Sequence, residues 1–230
     1  AVIKPVVTIF VYWFAIAIGL RQNSNVGEVP YILWLVTGIV PWFYMGEAIT
    51  GGTECIRRYS YLVTKMKYPV TTIPTHTNLS KLFVHIIICF VVIGILWGFG
   101  FPPTIYLVQL PLYMGFMFLF MNAWSLFAGM VSAISKDFAN LVKSLNIAVF
   151  WLSGILWNVE NVSDRKLVYG ILMINPVTYI CYGYRDCFID KQWFFEEPER
   201  LAAFLGWYVF LGILSLWAYK KLRKEIPDVL

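Results

Sequence analysis

The chain has 230 residues, a net charge of +5, 60% apolar residues and 13% charged ones. A soluble domain carries about a quarter charged residues, so this chain lacks the polar surface to face water on every side. Its 18% aromatic content excludes intrinsic disorder, and four cysteines are too few for a disulfide scaffold.

A helix that crosses a bilayer needs about 20 mostly apolar residues. Six stretches qualify: residues 2–20, 30–50, 79–101, 104–134, 141–157 and 201–219. They predict an all-α integral membrane fold, one transmembrane domain over residues 1–230. The fourth stretch is long enough to tilt or to project beyond the bilayer. No outer-membrane barrel alternation is present. Ala1 stands almost at the start of the first stretch, without a clear basic flank or cleavage site. Residues upstream of it are therefore expected to be missing from this sequence.

Lys and Arg set the orientation, because cationic loops stay in the cytoplasm. Residues 51–74, 135–140 and the C-terminal tail together carry +5, including Lys136, Lys220, Lys221, Arg223 and Lys224. Residues 21–29, the turn near 102 and residues 158–200 together carry −2. The first set is expected inside. With six spans, both termini are then cytoplasmic.

Between spans two and three, residues 53–68 read as an amphipathic helix. Ile56, Tyr59, Val63 and Met66 recur at helical spacing, while Arg57, Arg58, Lys65 and Lys67 are cationic. Thr53 is placed to cap its start and Pro69 to end it. Two readings stay open: the helix docks in a groove on a partner, or it lies on anionic membrane lipid headgroups.

Ionisable residues inside spans are costly and default to functional candidates. Glu47 falls near the inner end of span two and Lys143 early in span five. Asn140, Lys143 and Ser144 share a helical face, with Asn146 nearby. Such a strip could line a conduit for a polyol-phosphate polymer, with Lys143 offering a cation to its phosphates. The structural alternative has Lys143 snorkelling to the interface or pairing with Glu47. Most aromatic residues serve interfacial belts or packing. Trp42, Phe43, Trp151 and Trp157 are candidates for a track under sugar faces.

Residues 158–190 hold two apolar patches too short to span, separated by Asn175-Pro176. Proline in a helix interior forfeits a hydrogen bond, so a break is expected there. The favoured reading is two re-entrant half-helices dipping into the outer leaflet before the last span. An amphipathic surface helix is the alternative. A single span over residues 167–189 would bury Arg185 and Asp186 and put the basic tail outside, and is disfavoured.

Catalytic signatures are lacking. The chain has no Gly-Lys pair, hence no phosphate loop, and no HExxH or GxSxG. His76 and His85 have no completing ligands for a metal, so no metal site is expected. His76 is assigned to the inner interface and His85 to the bundle. Cys55 and Cys89 read as free thiols. Cys181 and Cys187 fall in one outer region, where a disulfide between them stays open, although six residues of helix would put them on differing faces.

Several motifs carry a family resemblance in collinear order. They are Lys65-Met66-Lys67-Tyr68-Pro69 with Ile73-Pro74, Lys136-Asp137, Asn175-Pro176 with Tyr184-Arg185-Asp186, and the tail from Leu222 to Leu230. Together they resemble the type 2 ABC exporter permeases along essentially the whole chain. Tyr12-Trp13-Phe14, Val29-Pro30-Tyr31-Ile32 and Ile155-Leu156-Trp157 are similar to the polysaccharide-export branch, most closely to the teichoic acid translocation permeases of Gram-positive bacteria. Gly154 departs from that branch, which usually has proline there. The family's amphipathic helix before span one is not seen.

The resemblance implies a permease of the cell membrane that is not itself an enzyme. It implies a homodimer with two cytoplasmic ABC ATPase subunits, which use ATP and Mg, while this chain carries no cofactor and binds no nucleic acid. It implies that residues 53–68 are the coupling helix, with Tyr68 and Pro69 at its end. It further implies that Asn175, Pro176, Tyr184, Arg185 and Asp186 belong to the outer exit. The expected cargo is a lipid-linked teichoic acid or related polysaccharide. A drug exporter of the same fold and an intramembrane glycan transferase are the competing readings.

Overall fold

The structure is a computed structural model, and it describes residues 3–15, 25–27, 29–66 and 68–226. Helix α1 is Ile3–Trp13. A two-residue antiparallel ladder, β1 (Asn25–Val26) with β2 (Val29–Pro30), turns at Gly27, whose φ is +61°. The long helix α2 is Tyr31–Arg58, and the single-turn α3 is Ser60–Thr64. Then come α4 (Thr72–Gly98), α5 (Leu110–Ile134), α6 (Lys136–Trp151), α7 (Lys166–Ile174), α8 (Pro176–Arg185) and α9 (Pro198–Leu222). A 3-10 stretch, Ile105–Gln109, leads directly into α5.

Four of the predicted spans appear as helices long and apolar enough to cross a bilayer: Tyr31–Arg58, Thr72–Gly98, Ile105–Ile134 and Pro198–Leu222. The protein is therefore a multi-pass helical membrane protein. The boundaries shift. The second span runs on to Arg58 because nothing breaks it at Thr53, whose hydroxyl donates 2.6 Å back to the Ile49 carbonyl rather than capping a new helix. The third begins at Thr72, where Pro74 sits in a first turn that needs no N–H.

The fifth predicted stretch is a 16-residue helix that starts at Lys136 and stops at Trp151. Residues 152–157 turn away instead, with Gly154 at φ +59°. Proline, fixed near −65°, could not take that conformation, which gives the Gly154 departure a backbone reason. The second half of the first predicted span, from residue 16, lies outside the described residues, as do Lys67 and residues 227–230.

The chain divides into two compact units. The first comprises Ala1–Phe43, Val84–Met114 and Phe150–Phe204; the second comprises Tyr44–Phe83, Gly115–Val149 and Leu205–Leu230. The second unit is organised by a core of Cys55, Ile56, Val63, Ile73, Met130, Ala133, Ala218 and Ile226. Glycines let its helices approach closely. A Cβ on Gly52 would strike Ser125, and one on Gly129 would press on Ile56 and the Gly52 carbonyl. Beside them Asn78 donates to the Met121 carbonyl (3.2 Å) and to Ser125 Oγ (3.0 Å), so buried amide and hydroxyl groups tie α4 to α5.

Candidate functional site

The expected coupling segment is built differently from its sequence pattern. Residues 53–58 are the last turns of α2, and α3 follows after a turn at Tyr59. Ile56 and Val63, expected on a docking face, are buried in the second unit's own core. Tyr59, Tyr61 and Met66 remain exposed, at 37%, 53% and 65%. Tyr61 lay outside the helical series that marked the others, so the pattern missed it. Lys65 and Pro69 are exposed and Tyr68 is half-buried against the core. Tyr68 N–H donates to the Leu62 carbonyl, folding the chain back over α3 before Pro69.

Arg57 is not a free surface cation. Its guanidinium donates to the carbonyls of Ser132 (2.5 Å) and Ala133 (3.0 Å) at the end of α5. The last carbonyls of a helix lack intrahelical partners, so Arg57 serves as their cap from another helix. Replacing it by alanine should cost about 1–2 kcal/mol of stability, the worth of a charged hydrogen bond at a partly exposed site. Thermal unfolding in detergent checks this, and an unchanged midpoint would contradict the capping role.

Arg58 pairs with Glu54 at 3.5 Å, one turn earlier on α2. Lys143 pairs with the same carboxylate at 2.5 Å. The alternative partner for Lys143 suggested by the sequence, Glu47, is replaced by Glu54. Glu47 is exposed, and its backbone carbonyl accepts from Lys81. Asn140 is exposed and Asn146 half-buried. Trp42 and Phe43 are half-buried, and Trp42 packs on Phe150 at 5.3 Å. Trp151 is half exposed, and its carbonyl accepts from the Trp157 indole at 2.9 Å. Both tryptophans therefore brace the turn after α6.

In the first unit, helices α7 and α8 meet at a corner of 82°. The break falls at Asn175-Pro176, where the sequence put it. Asn175 Oδ1 accepts from Val177 N–H at 2.9 Å, capping α8 with Pro176 at its first position. Its amide donates to Ser153 Oγ at 3.1 Å. Beyond α8 a π-helical turn, Asp186–Asp190, closes on Lys191 in the left-handed region.

Among the described residues Arg185 is the most deeply placed charge, fully buried. Its guanidinium lies 3.4 Å from the centre of the Trp34 ring and donates to the Gly154 and Ile155 carbonyls, both at 2.9 Å. Gly38 leaves it room, because a Cβ there would overlap the guanidinium. Tyr31 completes the set by donating to the Leu156 carbonyl at 2.7 Å. Three successive carbonyls in the irregular turn are thus met by side chains. Burial of Arg185 was one of two sequence arguments against a single span over residues 167–189, the other being the side on which the basic tail would fall. The burial argument fails, since the arginine is buried and bonded within the protein, and the corner is what interrupts the helix.

Tyr184 is buried and shares a 2.6 Å hydrogen bond with His85 Nε2, so both are packed inside this unit. Asp186 is half-buried beside Tyr113, Tyr179, Glu197 and Arg200. Arg200 pairs with Glu197 at 2.5 Å. Burial pushes the Glu197 carboxyl above the usual carboxylate range, against the pull of Arg200. Cys55, Cys89, Cys181 and Cys187 are free and buried. Among the described residues no group of three His, Cys, Asp or Glu is placed to hold a metal ion.

Comparison with known proteins gives these placements a setting. The family model for the ABC-2 type transporter matches residues 1–189. The O-antigen export system permease protein RfbA of Myxococcus xanthus is 22% identical over 98% of this chain and 85% of its own length. A protein of the same name from Klebsiella pneumoniae is 21% identical over 100% of this chain and 86% of its own. With most of its length under that model, and with its apolar helices, the chain belongs to the ABC-2 type transporter family, as a membrane permease subunit rather than an enzyme.

Proposed function

We propose that this chain is the permease subunit of an ATP-driven exporter that moves a lipid-linked polysaccharide from the cytoplasm to the outer face of the cell membrane. The observation that carries the reading is the end-to-end similarity to permeases named for O-antigen export. Teichoic acid is one such anionic polymer and stays the specific cargo suggested by the motifs of residues 12–14, 29–32 and 155–157. In this reading two copies frame the conduit, the termini are cytoplasmic, and two ABC ATPase subunits supply force. The corner at Asn175 dips into the outer leaflet, where non-helical backbone must be shielded by protein. A glycan transferase is disfavoured, because its chemistry needs facing acid and base groups in a cleft.

Force enters through the turn around α3. Tyr59, Tyr61 and Met66 are large, exposed and close in sequence, and aromatic anchors dominate binding energy where helices meet grooves. Replacing all three by alanine should weaken co-purification with the ATPase by about 100-fold or more, at over 1 kcal/mol per anchor, and abolish surface display of the polymer. The core formed by Ile56 and Val63 is left intact by these changes. If assembly and display both persist, the coupling assignment is wrong.

A further inference from the structure

Within the first unit, between the π-helical turn and the starts of α5 and α9, lies a small cavity. Rings of Tyr113, Tyr179, Trp193 and Phe194 wall it, and Asp186, Glu197 and Arg200 supply charge. It has room for about one water-sized group. Gln192 also lines it and is exposed, so the cavity reaches the surface there. The wall is fixed in advance. Gln109, 4% exposed, accepts from the Phe194 N–H at 2.9 Å and donates to the Gln192 carbonyl at 2.5 Å. Its carboxamide thereby ties residues 192–194 to the 3-10 stretch before α5.

Two groups on this wall lack partners. Tyr179 is 6% exposed, and its hydroxyl makes no hydrogen bond among the described residues. The Tyr113 phenol is close enough to interact with it but is not aligned to bond. The half-buried Asp186 carboxylate makes no hydrogen bond and no ion pair among the described residues. Arg200 is taken by Glu197 at 2.5 Å, with Glu160 at 4.0 Å. Arg185, the residue before Asp186, is spent on the Gly154 and Ile155 carbonyls. Asp186 is thus a negative charge without a counterion. A water molecule would satisfy the hydroxyl but not the charge. A divalent metal ion needs more oxygen ligands than this wall offers. An ammonium group suits all of it, with N–H bonds for a carboxylate and a phenol oxygen and a positive charge for the rings.

We propose that this cavity binds a primary ammonium group, carried by an ethanolamine lipid headgroup or by a free amine. Asp186 neutralises it, the Tyr179 oxygen accepts one of its N–H groups, and the rings of Tyr113 and Trp193 enclose it. A trimethylated ammonium is excluded, being too large for the space of one water and having no N–H to donate. Placing the site on the outer face of the membrane rests on the export reading, whereas the binding itself does not.

The test titrates ethanolamine calorimetrically into the permease–ATPase complex in phosphatidylcholine nanodiscs, at about pH 8, where primary amines keep their proton. Saturable binding is expected. Asp186→Asn should raise Kd about tenfold or more, the worth of a charged hydrogen bond. Tyr179→Phe should raise it about threefold or more while leaving the melting midpoint unchanged, because the hydroxyl bonds nothing within the protein. If the Asp186 variant does not fold, the Tyr179→Phe result decides alone. Unchanged affinity in Tyr179→Phe would overturn the proposal. So would choline or potassium ion competing as well as ethanolamine, since neither has an N–H to give. Two further results both support it and separate the sources. Nanodiscs of phosphatidylethanolamine that block the soluble probe identify the lipid headgroup, and nanodiscs that leave its binding intact identify a free amine. The assay does not involve the Tyr59–Met66 turn, so its failure leaves the coupling test standing.

Discussion

Replacing Arg185 with alanine should lower the unfolding free energy by about 3–5 kcal/mol, the largest effect expected of any single substitution in the first unit. The side chain is fully buried, and its loss strips two buried carbonyls of their donor and uncovers Trp34. Unpaired buried carbonyls cost more than a hydrogen bond is worth when made. Arg185→Lys should recover less than half of the loss. An ammonium cannot present two parallel N–H groups to neighbouring carbonyls while its plane stacks on an indole, because it has no plane. Detergent melts of both variants measure this, and an alanine variant within about 0.5 kcal/mol of the parent would contradict the assigned role.

Gly183→Ala should be nearly as damaging, by about 2–3 kcal/mol, for the opposite reason of too much matter rather than too little. A Cβ at Gly183 would land inside the Tyr113 ring. Tyr113 is 1% exposed and packs on Tyr179, which itself stacks on Phe204 at 4.8 Å, so the ring has no free direction in which to yield. Gly206→Ala provides the contrast. Nothing lies within 4 Å of its Cβ position on α9, and helix propensity alone would make the change neutral or stabilising by up to about 1 kcal/mol. Equal melting losses for the two substitutions would show that crowding at Tyr113 is not the cause.

Hydropathy alone located the long helices, because a bilayer enforces length and composition together. The break at Asn175-Pro176 was legible for a local reason, a residue without an N–H behind a good capping side chain. The coupling segment was only half legible. Helical spacing at Ile56, Tyr59, Val63 and Met66 says that a face exists but not what covers it. The protein's own core takes Ile56 and Val63, and the turn at Tyr59 rotates the rest outward together with Tyr61. Polar partnerships between distant segments were the least legible. Glu54 with Lys143, Arg57 with the end of α5, and Arg185 with Gly154 and Ile155 lie far apart in sequence and follow no spacing rule. Asn78 did leave a signal, as an amide at the head of an apolar run, and the sequence reading passed over it.

The corner at Asn175 is held together by one carboxamide. Its oxygen serves the second helix and its nitrogen reaches Ser153 in the turn after α6, while the Asn175 N–H gains only a 3.3 Å contact with the Leu172 carbonyl. An alanine in place of Ser153 would keep the first grip and remove the nearer partner of the second. The elbow would survive as a shape, yet it would be loosened from the segment that Arg185 secures, so posture and attachment at this joint are separable by removing a single hydroxyl.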